Sequence, residues 1–221
     1  MNRLGFSIIA CLMALTNTIS AADNLTISDF LVIPGMTDKE LIIELNNDQT
    51  YAAFQFDLYL PEGITITGFS AGNRLPAKTD LQMQQQTDGS YRFITIPPDL
   101  KSNISGTSGS ILTIIVSVDE KVALGTLTGY FRNIKLSDTN GEGNTYAEMS
   151  FPITALKLGD VNGDGTVDIA DAVCIANHIA GKATPTFYEI VADVNDDGTV
   201  DIADAVRLIN FVVGKINSLD M

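Results

Sequence analysis

Residues 160–173 and 193–206 carry one acidic segment twice, D-V-N-G-D-G-T-V-D-I-A-D-A-V and D-V-N-D-D-G-T-V-D-I-A-D-A-V, identical at 13 of 14 positions and offset by 33 residues. A repeat this close constrains the fold around it, because both copies must adopt the same local structure. Within each copy, side-chain oxygens recur at positions 1, 3, 5, 9 and 12, with glycine at position 6. That spacing wraps a chain around one hard cation, and the glycine permits the sharp turn. In the first copy Asp160, Asn162 and Asp164 are the expected side-chain ligands. Thr166 offers its backbone carbonyl, Asp168 acts through a water, and Asp171 closes the shell from the first turn of a helix. Asp193, Asn195, Asp197, Thr199, Asp201 and Asp204 repeat these roles, so two calcium ions are the expected cofactors. The alternative is a pair of Asx-rich turns without metal, which leaves the carboxylates of each loop crowded together. Val167 and Val200, at position 8, are expected to point inward and tie the loops together.

The ligand spacing is that of an EF-hand, with two departures. Position 12 is Asp rather than Glu. Neither T-A-L-K-L-G before Asp160 nor T-P-T-F-Y-E-I-V-A before Asp193 reads as an amphipathic helix. Helical patterning follows each loop instead, in A-D-A-V-C-I-A-N-H-I-A-G-K and A-D-A-V-R-L-I-N-F-V-V-G-K, each closing on Gly-Lys as a helix C-terminus should. Loop and helix, used twice, resemble the type I dockerin module over residues 156–216, which leaves 217–221 as a tail. The resemblance implies a cohesin-bearing partner, met through loop positions 10 and 11: Ile169 and Ala170 in one copy, Ile202 and Ala203 in the other. Asn177 and Asn210 fall at equivalent places further along the helices and join that expected surface. Many members of the family carry Ser-Thr at positions 10 and 11, so the Ile-Ala pair implies a more apolar contact and a different class of cohesin. Near-identical copies also imply two docking orientations on one partner. The competing reading makes Ile169 and Ile202 ordinary core residues.

The net charge of −14 argues against nucleic acid or an anionic membrane surface as partner. Residues 156–221 hold 11 acids against 4 bases, so much of that charge sits where calcium would neutralise it. A module of roughly 60 residues has little core of its own, which couples its folding to the metal. At the other end, Met1-Asn2-Arg3, an apolar run over residues 4–15 and Ser20-Ala21-Ala22 before Asp23 read as a secretory signal peptide, residues 1–22. Its apolar run is too short for a membrane span, and a lipoprotein signal at Cys11 is the lesser alternative. Secretion from a bacterium is therefore expected, with attachment to the cell surface through a partner. Beyond Cys11 there is one cysteine, Cys174, and the chain has one histidine, His178; the repeat places Arg207 and Phe211 at their positions. Neither reads as catalytic, and a Ser-His-Asp triad or a His-rich zinc site is hard to build from them.

Residues 23–155 show strand signals at short intervals and almost no helical period. Segments 25–33, 40–45, 52–60, 81–87, 90–96, 111–118, 126–134 and 146–153 mark most of about nine antiparallel strands, which argues for a sandwich. In 52–60, Phe54, Phe56, Leu58 and Leu60 are expected inward, and Gln55, Asp57 and Tyr59 outward. Asp88-Gly89 marks a hairpin. Pro34-Gly35, F-Q-F-D-L-Y-L-P-E-G-I (54–64) and G-S-I-L-T-I-I-V-S-V (109–118) resemble cohesin sandwiches and some carbohydrate-binding ones. The fold class is thus an all-β, cohesin-like sandwich plus a small α-helical, dockerin-like module. Three functions follow, with surface adhesion without sugar as a remainder: a non-catalytic component of a cellulosome-like assembly, a polysaccharide-binding protein, and a glycan-degrading enzyme. The sandwich would meet a second dockerin in the first case and a polysaccharide in the second, with Tyr59, Tyr91 and Tyr130 as the sugar platform. Against the third, no pair of acids stands out for glycoside hydrolysis; Glu44, Asp57 and Glu62 read as solvated carboxylates.

Overall fold

The computed structural model describes residues 23–28, 30–99 and 101–219; the expected signal peptide, with Cys11, lies outside them. Period-two alternation builds the first unit. One sheet contains β1 (Asn24–Ile27), β3 (Lys39–Asn46), β8 (Ser110–Val118) and β5 (Ile64–Ala71), adjacent in the order given. The other runs β2 (Leu31–Val32), β11 (Met149–Ala155), β9 (Gly125–Ser137), β4 (Ala53–Tyr59), β7 (Tyr91–Ile96) and β6 (Asp80–Gln85), with β10 (Gly143–Thr145) paired to β9 off this path. Leu41, Ile43 and Leu45 of β3 face Phe54, Phe56 and Leu58 of β4 in one common core. Phe56 sits at its centre, 5.3 Å from the Phe131 ring edge-on and 5.5 Å from Phe93. Each such fully buried side chain contributes about 1.5–3 kcal/mol of apolar burial.

Several expectations change here. The described residues form eleven strands, close to the nine expected, with β5 and β10 beyond the segments read from the sequence. The segment 25–33 holds two strands: β1 pairs antiparallel with β3, whereas β2 crosses to the other sheet and pairs with β11 in parallel. The last strand begins at Met149 rather than 146, and Tyr146 is buried beside it. Asp57 is not a solvated carboxylate but a buried one. Arg92 grips it with both arms, at 2.6 and 2.7 Å, and Asn133 donates to it at 2.6 Å. The Asp88-Gly89 hairpin joins β6 and β7 as expected, closed by Gln86 N–H donating to Ser90 O at 2.8 Å.

The second unit has a separate core of Val161, Ala172, Ile175, Ala192, Val194, Ala205, Leu208 and Leu219. Its helices are α1 (Ile169–Ile179) and α2 (Ile202–Val212). They pack through Ala172 and Ile175 against Ala205 and Leu208, small residues alternating with large at i, i+3 spacing. Both helices end in a Schellman turn. Lys182 N–H donates to Asn177 O and Gly181 N–H to His178 O, with Gly181 at φ 66°; Lys215, Asn210, Gly214 and Phe211 repeat the pattern. Leu219 extends this core past the expected boundary at 216, packing over Gly159 at the start of the module. Among the described residues no helix is long and apolar enough to cross a membrane.

Candidate metal centre and docking face

Each loop is organised from its two ends. Asp168 caps α1, its Oδ1 accepting from Ala170 N–H at 2.7 Å, and Asp171 completes a capping box by accepting from Asp168 N–H at 2.9 Å. The other oxygen of Asp171 accepts from Asn162 N–H at 3.0 Å, which ties the end of the loop to its beginning. Asn162 Oδ1 accepts from Asp164 N–H, Asp164 Oδ1 from the N–H and hydroxyl of Thr166, and Asp160 Oδ2 from Gly165 N–H. The second loop repeats the set: Asp193 with Gly198, Asn195 with Asp197, Asp197 with Thr199, Asp201 with Ala203, and Asp204 with Asp201, Asn195 and Val194. The ten expected side-chain ligands each accept an N–H from their own loop or the start of its helix, and Thr166 and Thr199 donate to Asp164 and Asp197. Among the described residues, no three His, Cys, Asp or Glu side chains converge as a ready-made cage.

Two features fit these loops to a hard cation. Asp160 is 4% exposed, and its Oδ1 is buried with no hydrogen-bond partner. A buried carboxylate oxygen without a donor is costly, and a cation relieves it. Asp171 is fully buried, and burial pushes its carboxyl above the usual range despite three backbone donors, with Asp160 adding like charge. The donor set is oxygen throughout, the chemistry of calcium rather than of zinc or copper.

The helices present a face that sequence reading caught only in part. Ile169 is 53% exposed and Ile202 62%, so they are surface residues rather than core. Ala170 and Ala203 are also exposed, while Asn177 and Asn210 are half-buried and spend their carbonyls on the Schellman turns. Val173, Ala176 and Ala180 continue the exposed line from Ile169, and Val206, Ile209 and Val213 continue it from Ile202. Steps of four, three and four residues keep each line on one side of its helix. The i, i+4, i+7 pattern was available in the sequence but competed with the buried stripe beside it. The expected inward anchors, Val167 and Val200, are half-buried and pack against the helical core, and Val161 and Val194, at position 2, are fully buried within it. A single 3-10 turn, Glu189–Val191, precedes the second loop where no helix was expected. Cys174 is half-buried against the helical core, and burial raises its thiol, which suits packing rather than nucleophilic chemistry.

The sugar platform expected on the sandwich does not assemble. Tyr91 is buried, its hydroxyl accepting from Ile66 N–H. Tyr59 and Tyr130 are cross-strand neighbours, but the Arg132 guanidinium lies 4.4 and 5.0 Å from their ring centres and covers a face of each.

Comparison with known proteins agrees with both units. Residues 158–213 match the family model of the dockerin type I domain. No curated protein matches the chain. Among solved structures, the seventh ScaB type I cohesin from Pseudobacteroides cellulosolvens aligns with a TM-score of 0.51 at 16% identity, covering 62% of this chain and 93% of its own. A type I cohesin–dockerin complex of Clostridium thermocellum, Coh-OlpA with Doc918, aligns at 0.52 and 14% identity, over 61% and 99%. The cohesin module of a family 33 glycoside hydrolase from Clostridium perfringens aligns at 0.50 and 12%, over 62% and 99%. At these identities the likeness is one of fold. The chain thus joins a sandwich of the cohesin fold to a C-terminal segment that matches the dockerin type I domain.

Proposed function

We propose that residues 156–219 are a calcium-dependent docking module that attaches the chain to a cohesin-bearing partner outside the cell. Asp160, Asn162, Asp164, Asp168 and Asp171, with the Thr166 carbonyl, would hold one ion, and Asp193, Asn195, Asp197, Asp201 and Asp204, with the Thr199 carbonyl, the other. Calcium would neutralise loops that are otherwise strongly anionic and fix the angle at which each helix leaves its loop. The observation that carries the docking reading is the pair of exposed apolar lines, Ile169–Val173–Ala176–Ala180 and Ile202–Val206–Ile209–Val213. Residues this apolar stay on a surface when a partner covers them. The neighbours named for cohesin–dockerin complexes and for a cohesin module of a glycoside hydrolase support a non-catalytic place in a polysaccharide-processing assembly. Secretion rests on residues 1–22, and the sandwich would be the receptor for a second dockerin.

Binding of the full chain to a panel of immobilised type I cohesins, with calcium and with chelator, tests the reading. The double variants Ile169→Asp/Ala170→Asp and Ile202→Asp/Ala203→Asp should each retain binding, and the quadruple variant should lose it. Loss in either double variant alone removes the dual orientation. Retention of the chain on insoluble glycan, with no cohesin bound at all, removes the docking function.

A further inference from the structure

The two loops differ at one position of fourteen, Gly163 against Asp196, and the structure shows what the difference does. Gly163 sits at φ 73°, and a Cβ there would lie 2.4 Å from Cε2 of Tyr188. The tyrosine ring therefore lies flush against the loop backbone between the expected ligands Asn162 and Asp164, in a place open only to glycine. Its seat is set by the backbone: Tyr188 N–H donates to Val161 O and Gly159 N–H to Val191 O, both at 3.0 Å. Next to it, Phe187 stacks on His178 with ring centres 4.1 Å apart, which anchors the same segment to α1. In the second loop the equivalent residue, Asp196, has a side chain at φ 55° and is exposed. The leading ligands differ accordingly: Asp160 is buried with its unpartnered Oδ1, whereas Asp193 is half-buried.

We propose that Tyr188 is a cover over the first loop and makes the two calcium sites unequal. The first loop releases its ion slowly, and the second, which no ring covers, releases quickly. Release needs the segment of positions 3 to 5 to peel away from the ion, and the Tyr188 ring packed on position 4 must move before that segment can. Among the described residues the second loop has no such ring at its position 4, where the exposed Asp196 leaves the segment free to move. The inference rests on the calcium reading above, and the experiment separates the two.

Calcium-loaded full-length chain is mixed with a fluorescent chelator in a stopped-flow instrument, and ion release is followed in time. Two phases of equal amplitude are expected. Asp160→Ala should delete the slow one and Asp193→Ala the fast one. Tyr188→Ala should accelerate the slow phase by about tenfold or more, the scale on which groups just outside a ligand shell act, and leave the fast phase unchanged. Tyr188→Phe, which keeps the ring and guards against a folding defect, should release as the parent does. Terbium supplies a second readout: tyrosine-excited emission should come from the first loop and be lost in Tyr188→Phe. Two ions released in a single phase, or a slow phase indifferent to Tyr188→Ala, overturns the inference and leaves calcium binding intact. A chain that takes up no calcium overturns both.

Discussion

Asp23 receives both phenolic hydroxyls of Tyr51 and Tyr146 on one oxygen, each at 2.5 Å, and Asp48 N–H on the other at 2.8 Å. Burial pushes this carboxyl up, but the hydrogen bonds from Tyr146, Tyr51 and Asp48 outweigh it and hold it below its ordinary 3.8. The same arrangement raises both tyrosines, through burial first and the Asp23 carboxylate second. A carboxyl depressed by folding stabilises the fold above its ordinary value, and that contribution is lost as pH falls below 3.8 through the folded value. Asp23→Asn should therefore cost the sandwich about 1–3 kcal/mol at neutral pH, the worth of charge-assisted hydrogen bonds, and flatten the acid limb of its melting temperature against pH. An acid limb as steep as the parent's would sink this account. None of this was legible in the sequence, since Tyr51 and Tyr146 are far from Asp23 along the chain. Asp57 misled for a related reason. It alternates outward in β4, and only the bulge that brings Asn133, together with the reach of Arg92, converts an outward acid into a buried one.

Elements were readable where one short segment decides its own structure. The Asp-rich loops, the caps Asp168 and Asp201 and the Gly-Lys helix ends all act on neighbours a few residues away, so their spacing announced them. β3, β4 and β8 announced themselves by alternation. The break between β1 and β2 did not, although Ser28-Asp29 interrupts the apolar residues there, because the switch of sheets depends on β11, far away in sequence. Leu219 was hidden likewise, an isolated leucine in a polar tail whose seat is made by Gly159 and Leu208. Leu219→Ala should destabilise the helical unit by about 2–3 kcal/mol, as for buried leucines generally, and leave the sandwich transition where it was. Circular dichroism at the helical minimum against calorimetry of the whole chain distinguishes the two. An unchanged helical transition would show that the C-terminal segment merely rests on the module.

At the scale of the molecule the two cores are unequal in what sustains them. The sandwich has a ring-rich interior; the helical unit has a handful of aliphatic residues and two loops crowded with carboxylates. Calcium removal should therefore melt the helical unit while the sandwich persists, so that chelator turns one region protease-sensitive and lowers helical ellipticity. A digestion pattern and far-UV spectrum indifferent to chelator would contradict that division. The placement of β11 has a kinetic side as well. This strand slots between β2 and β9, with Thr154 and Leu156 N–H donating to Phe30 and Val32. It is also the last strand to emerge from a ribosome or a narrow export channel. Until it does, β2 lacks its partner and β9 presents an open edge, so the sheet cannot close on a growing chain. Completion of the sandwich therefore waits for the residues immediately before the docking module, and the larger domain has little head start over the smaller one.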